Sequence, residues 1–329
     1  FNRQHELIHL IDSIQRQTLD HELFELIISD DGSNDNTEEY VRERAKEVDF
    51  DLRFIKQSNQ GPGAARNHGL QVAQGALILF IDSDCEAHPT WAETIFKAFN
   101  QEKFDACGGP DAAKADFTPL QKAIDFSMTS FFTTGGMRGH SEKMLAKFYP
   151  RTHNMGMTAK LYQKVGGFGA LRHGQDIELS HRIHSSGAVV KFIPDAIVLH
   201  RRRTSLKKFF RQVFNWGVAR VNLGKISLEM LEPIHFLPTI AVCCILFVTI
   251  WTILKPAVFA PIFIAGILGL ISLSILAGIK KQSLRVIGYS LATIPIQIIG
   301  YGTGFLIAFI KRYIFGRGRW TGFTKKYYE

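Results

Sequence analysis

Three long stretches of this chain, from Phe236 to Leu254, from Pro256 to Ile279 and from Val286 to Ile310, contain no Asp, Glu, Lys, Arg or His. Taken as 234–254, 256–279 and 286–310 they cover 21, 24 and 25 residues, each enough to cross about 30 Å of hydrocarbon. A water-exposed surface does not tolerate such lengths, so the last third of the chain is predicted to form a multi-pass membrane region. Residues 1 to about 230 read instead as globular.

The 39 Lys+Arg against 30 Asp+Glu leave a net charge of +9, and its location identifies the partner. Arg201, Arg202, Arg203, Lys207, Lys208 and Arg211 precede the first span. Lys280, Lys281, Arg285, Lys311, Arg312, Arg317 and Arg319 flank the later ones. That placement favours membrane lipids over nucleic acid. Three full crossings would set the basic tail opposite the globular part, against the positive-inside tendency; a kink or re-entry at Pro295 and Gly300 would bring it back. Cys85, Cys107, Cys243 and Cys244 show neither zinc spacing nor a disulfide framework. The opening reads as a mixed polar helix, which predicts no secretory signal.

In the globular part, apolar runs alternate with helical patterns. Leu7, Leu10, Ile11 and Ile14 have helical spacing; Leu23 to Ile28 reads as a strand closed by Asp30-Asp31-Gly32-Ser33. Helix 37–47, strand 52–55 and a helix opened by Gly61-Pro62-Gly63 follow. The run Ala76 to Ile81, ending at Asp82-Ser83-Asp84, reads as a strand buried on both faces. This alternation argues for a parallel, doubly wound α/β sheet. Residues 110–150 lose the pattern and are expected to be an insertion that shapes a binding cleft. Leu206, Phe209, Phe210, Val213 and Phe214 form a helical stripe, open to two readings: an interfacial helix or a core-facing one.

Both acidic clusters fall just after strands, at the carboxyl edge where open α/β sheets bind ligands. Converging carboxylates repel one another unless a cation lies between them. A divalent ion, Mg²⁺ or Mn²⁺, is therefore expected, with phosphate oxygens of a nucleotide diphosphate completing its shell. His200, at a strand end, is either a third ligand or structural. The Gly61–Gly69 segment lacks the GK[ST] ending of a phosphate loop. Its Arg66 faces either an anionic ligand or solvent. Asp176 opens a helix as a cap or as a general base, while Glu178 lies on a different face.

Taken together, the chain resembles glycosyltransferase family 2, inverting enzymes with the GT-A fold, over residues 1 to about 225. The carriers are Phe1-Asn2-Arg3, Gln17-Thr18, Asp30 to Thr37, Asn59 to Asn67, Asp82-Ser83-Asp84, Gly166-Gly167-Phe168 and Gly174 to Leu179. The resemblance implies a Rossmann-like mixed sheet that grips a nucleotide-sugar, followed by transmembrane helices. It implies nucleotide contacts from Asp30, Asp31, Ser33, Arg66 and Asp82, metal ligation by Asp84, Asp82 and His200, and Asp176 as the catalytic base. The implied domains are 1–225 for transfer, 226–313 for about three transmembrane helices and 314–329 for a basic tail. A further strand is expected ahead of Phe1, so part of the nucleotide floor is expected to be missing. Gln175 stands where the family usually has an acid. Gln212-Val213-Phe214-Asn215-Trp216 has Asn where processive members have Arg, which points to a non-processive enzyme.

The implied reaction is metal-dependent, inverting transfer of a sugar to a hydroxyl, with a lipid-linked saccharide or an envelope glycan as acceptor. A bacterial inner-membrane location with the catalytic part in the cytoplasm is expected. The alternatives are a polyprenyl-phosphate sugar synthase and a non-catalytic sugar-nucleotide-binding scaffold. A phosphotransferase with an Asp nucleophile is disfavoured by Glu86 at the fifth position of Asp82-Ser83-Asp84.

Overall fold

The computed structural model describes residues 1–112, 114, 116–134 and 148–323. Among these, two compact units separate, one holding 1–114 and 148–201, the other 116–134 and 202–323. The boundary thus falls between Arg201 and Arg202, and residues 202–225 belong with the apolar helices.

The first unit runs α1 (Gln4–Gln15), β1 (Glu25–Asp30), α2 (Thr37–Arg44), β2 (Asp51–Lys56), α3 (Pro62–Val72), β3 (Leu77–Phe80), β4 (Cys85–Ala87), α4 (Trp91–Glu102), β5 (Ala106–Gly108) and β6 (Asp111–Ala112). The chain continues with α5 (Pro119–Thr129) and α6 (Phe131–Thr134) of the second unit. It returns to the first with β7 (Met155–Thr158), α7 (Ala159–Val165), α8 (Gln175–Ser185), β8 (Val190–Phe192) and β9 (Val198–His200).

The sheet is mixed, which corrects the wholly parallel reading and agrees with the GT-A pattern. β1 and β2 pair in parallel, but β7 lies antiparallel between β3 and β5, and β9 lies between antiparallel β4 and parallel β6. The alternation of strands with helices misled because β7 returns directly into α7 without a crossover of its own. β3 separates two cores. Leu77 and Leu79 pack with Leu10, Ile11 and Ile95, whereas Ile78 and Phe80 pack with Met155, Met157 and Leu179. A strand that packs on both faces needs an unbroken apolar run, which is what Leu77 to Phe80, all partly buried, supplies.

The second unit adds α9 (Leu206–Gly224), α10 (Leu237–Leu254), α11 (Pro256–Lys280) and α12 (Leu284–Phe309), the last prolonged by a π-turn at Ile310–Ile314. Pro233–Leu254, Pro256–Lys280 and Leu284–Ile314 are long and apolar enough to cross a membrane, which makes them candidate spans. Residue Lys255 alone separates α10 from α11, because Pro256 cannot continue the preceding helix but suits the first position of a new one. α12 is continuous through Pro295 and Gly300, so the segment does not turn back there.

The stripe on α9 faces a protein core. Phe209 and Val213 are fully buried, and Phe214, Val218 and Val221 pack with Phe305 and Ala308 of α12. Small residues make this possible. A Cβ at Gly304 would meet the Phe214 carbonyl oxygen at 2.2 Å, and one at Gly217 would meet the Tyr301 carbonyl oxygen at the same distance. Such backbone approach between membrane helices requires glycine.

In the described part of 110–150, α5 packs within the second unit: Ala123 and Phe126 pack with Ala277, Val286 and Ile294, and the Ser127 hydroxyl donates to Thr293 Oγ1 at 2.8 Å. Its three-residue apolar spacing suits that surface. Residues 135–147 of the expected insertion lie outside the described residues.

Candidate active site

The parallel register of β1 with β2 aligns Asp30 with Lys56 and brings the two strand ends together. Asp30 closes a turn on itself. Its Oδ2 accepts from Gly32 N at 3.1 Å and Ser33 N at 2.7 Å, and its Oδ1 accepts the Ser33 hydroxyl. Gly32 has φ +82°, which a side chain would resist. Asp31, 1% exposed, accepts from Gln60 N at 2.9 Å, Gly61 N at 2.7 Å and Gln57 Nε2 at 2.7 Å. Backbone N–H groups thus hold a buried carboxylate and fix the loop that opens α3.

α3 presents two consecutive residues of different use. Arg66 Nη2 donates to Asp82 Oδ1 at 2.7 Å, and its guanidinium lies 5.5 Å from the Phe168 ring centre. Asn67 donates from Nδ2 to the Phe168 carbonyl at 2.9 Å and accepts the Phe168 N–H at 2.7 Å. Gly167 leaves room for this clamp: a Cβ there would stand 2.2 Å from Asn67 Oδ1.

β9, between β4 and β6, gathers the next group. Cys85 pairs with His200 across β4 and β9, so Asp84 lies beside His200, and Asp111 on β6 approaches from the other side. His200 Nε2 is 3.5 Å from Asp84 Oδ1, and His200 Nδ1 is 3.5 Å from Asp111 Oδ2. His153 stacks on His200 with ring centres 5.1 Å apart and stands 3.9 Å from Asp111 Oδ1. Burial pushes His153 down to about 4, only partly opposed by Asp111, so it is neutral at pH 7.

Donor atoms of Asp84, Cys85 and His200 all lie within 4.8 Å of one another. Burial, then Asp84, Asp82 and Asp111, push the Cys85 thiol well above its ordinary value. A protonated thiol is a poor ligand. What remains, a carboxylate and an imidazole that has a second carboxylate behind it, fits a divalent cation. Asp82 lies outside this group and is engaged by Arg66.

Asp176 is the second residue of α8, not its cap; Gly174, with φ +80°, holds the cap position. Asp176 Oδ1 accepts the Ile177 N–H at 3.0 Å, and Oδ2 is 3.6 Å from Arg151 Nη1. Burial is the largest influence on its carboxyl and acts upward. Arg151, the Ile177 N–H, His153 and Arg66 together outweigh it and hold the group below the usual carboxylate range. Glu178 faces elsewhere, paired with Arg182 Nε at 2.6 Å; Arg182 Nη2 donates to the Gly167 carbonyl at 2.6 Å. Gln175 donates its amide to the Leu171 carbonyl, which a carboxylate in that position would repel.

The residues singled out from the sequence are therefore linked. Asp31 holds Gly61, which opens the helix bearing Arg66; Arg66 binds Asp82 and acts on Asp176; His153 also acts on Asp176 and stacks on His200 beside Asp84. Sequence reasoning missed Arg151, His153, Asn154 and Asp111. Asn154, 2% exposed, accepts from Trp91 Nε1 at 2.9 Å and donates to the Ala196 carbonyl at 2.7 Å and the Pro110 carbonyl at 3.1 Å. The run Arg151-Thr-His-Asn154, polar and immediately ahead of an apolar strand, was the available signal. Asp111 had none, because its strand has only two residues.

The family model described as Glycosyl transferase family 2 matches residues 1–165. The chain is 27% identical over 247 residues to Glycosyltransferase AglE of Haloferax volcanii, covering 72% of this chain and 79% of that protein. It is 37% identical over 102 residues to the GalNAc(5)-diNAcBac-PP-undecaprenol beta-1,3-glucosyltransferase of Campylobacter jejuni, covering 31% of this chain and 32% of that one. Among solved structures it is similar to the mannosyltransferase PcManGT of Pyrobaculum calidifontis in complex with GDP-Man and Mn²⁺. The TM-score is 0.64 and the identity 15%, over 93% of this chain and 84% of that one.

Proposed function

The chain belongs to glycosyl transferase family 2, with the GT-A fold and sugar transfer from a nucleotide-sugar, and from that premise we propose a metal-dependent, inverting, non-processive hexosyltransferase acting at a membrane. Asp176 takes the proton of the acceptor hydroxyl as that oxygen attacks the anomeric carbon opposite the leaving group. At neutral pH it is in the ionised form that accepts a proton, and the groups that lower its pKa trade some basicity for that state. Arg66, with Asp30, Asp31 and Ser33 shaping the loop around it, borders the nucleotide. Asp84 and His200, with Asp82 once it exchanges Arg66 for the ion, would hold Mg²⁺ or Mn²⁺, which would supply neutralisation of the charge leaving on the diphosphate. Asp111 fixes the ring of His200 with Nε2 toward Asp84.

The observation that carries this reading is that Asp84 meets His200, His153 stacks on His200, Arg66 meets Asp82, and both Arg66 and His153 act electrostatically on Asp176. A non-catalytic scaffold has no use for a half-buried Asp176 held ionised by those groups. On this proposal residues 1–225 act in transfer, 226–313 form the membrane region and 314–329 the basic tail, with the catalytic part in the cytoplasm and the chain in the inner membrane. The acceptor is a lipid-linked saccharide, as the name of the Campylobacter relative supports. A polyprenyl-phosphate sugar synthase is the second reading, favoured by the membrane helices.

The test uses the full chain in detergent with labelled UDP-, GDP- and dTDP-sugars, Mg²⁺ or Mn²⁺, and polyprenyl-phosphate or polyprenyl-diphosphate saccharide acceptors. Transfer with inverted anomeric configuration, read by NMR of the product, is expected. Product with retained configuration, or no transfer from any donor to any acceptor, overturns the proposal.

A further inference from the structure

The three apolar helices are not alike. In the most apolar windows of Pro233–Leu254 and Pro256–Lys280, 6% and 17% of residues are buried, against 44% in Leu284–Ile314. The first two need lipid on nearly every side; the third offers it one stripe. Leu284, Arg285, Gly288, Tyr289, Leu291, Ile299 and Ile307 are its exposed positions, while α9, α5, the start of α10 and the end of α11 pack against the rest.

The ends of α12 carry the argument. Just before its start, Lys281 Nζ pairs with Asp125 Oδ2 at 2.6 Å, and Asp125 Oδ1 pairs with Arg202 Nη2 at 2.9 Å. Arg202 follows directly on the first unit, so this end lies on that unit's side of the membrane. Toward its other end, Thr239 at the start of α10 donates to the Gly302 carbonyl at 3.1 Å, and the Phe236 ring lies 4.9 Å from Phe305 and 5.9 Å from Phe309. In a simple three-span bundle the first span would begin beside the beginning of the third. Here it begins beside the end.

Two routes are compatible with that contact. Either α12 crosses, and the segment from Arg202 to Phe236 must cross too, or α12 does not cross and both its ends stay on one side. The first route puts α9 through the bilayer, although it carries Lys207, Lys208, Arg211 and Arg220, the first three exposed. It would also leave one of α10 and α11, both apolar throughout their length up to Lys280, without a crossing. Charged side chains in hydrocarbon are strongly disfavoured.

We infer that the chain crosses the bilayer twice, through α10 and α11, and that α12 lies along the membrane interface with lipid against its exposed stripe. Charge supports this independently. From Arg201 to Arg319, every Lys and Arg except Lys255 then falls on the side of the first unit, which satisfies the positive-inside tendency that three crossings violate. The end of α12 is anchored there as well, with Arg312 donating to Asn222 Oδ1 and Lys225 Nζ 3.9 Å from the Tyr313 ring centre.

The test is cysteine mapping of the full chain in sealed, oriented membrane vesicles, with Cys243 and Cys244 replaced by serine. Single cysteines at Glu47, Lys255, Gln282 and Arg317 are labelled with a membrane-impermeant maleimide. Positions 47, 282 and 317 are expected to label from one face and 255 from the other. Labelling of 317 from the face opposite 47 overturns the interfacial placement of α12, and labelling of 255 from the same face as 47 overturns the two crossings. Because serine replacements can disturb insertion, the same sidedness is read from a protease-cleavable epitope tag after Glu329 in the unaltered chain. A tag cleaved only from the face opposite the first unit also overturns the inference. None of these readouts depends on sugar transfer.

Discussion

Asp31 and Asp125 are both buried carboxylates, 1% and 4% exposed, but the two units stabilise them by opposite means. Asp31 accepts from two backbone N–H groups and the Gln57 amide, dipoles that fix the loop it sits in. Asp125 is met by Arg202 and Lys281, so its surroundings carry a positive excess. In the first unit the carboxylate organises a loop backbone; in the second it fastens helices by direct charge pairing. Asp176, also in the first unit, is pulled down by several groups and paired closely with none at hydrogen-bond distance apart from its neighbour's N–H.

The sharpest test of that contrast is Asp176→Asn, expected to lower kcat by about 10²–10⁴-fold, the worth of a positioned base. Donor binding, followed by calorimetry, is expected to survive; comparable turnover in the variant would remove Asp176 from the role. Asp125→Ala should act on folding instead, costing about 3 kcal/mol by stranding the buried Arg202 and releasing the partly exposed Lys281, visible as a lowered Tm in detergent. Changing Asp125, Arg202 and Lys281 together to Leu, Met and Met should recover most of that loss. Asp111→Asn is expected to weaken Mn²⁺ binding about 10–100-fold, read by electron paramagnetic resonance without any sugar donor; unchanged affinity would separate Asp111 from His200.

The smallest effect concerns pH. Because Asp176 is held below the usual carboxylate range, kcat should decline only in strongly acidic buffer. Arg151→Gln removes the largest lowering influence, so the acid limb of the pH profile should move upward. The sign for folding is the same: this carboxylate stabilises the fold above its unfolded pKa, and that contribution is lost as pH falls through the folded value.

Much of the first unit was legible because its motifs combine turn chemistry with a strand end. Asp30 to Ser33 and Gly61 to Asn67 announce loops that only glycine and short polar side chains can make, and those loops hold the site. The mixed order of the sheet was legible only through the family resemblance, since nothing in Met155 to Thr158 itself distinguishes an antiparallel strand from a parallel one. α5 was hidden for a different reason. Its apolar spacing fits any helical surface, and the partner it covers lies about 170 residues later. The apolar helices were visible by length alone, but the difference between α12 and its neighbours lies in what covers them, which periodicity does not record.

The Asn67 clamp has a consequence for the lifetime of the protein. An amide is a side chain able to give and to take a hydrogen bond with a single peptide group, and Phe168 requires both. Spontaneous deamidation at this position would turn the donor into a second anionic oxygen facing the Phe168 carbonyl, prising the loop from its helix. Loss of one ammonia molecule, invisible to a gel, would age the enzyme at the point where its arginine leans on that aromatic ring.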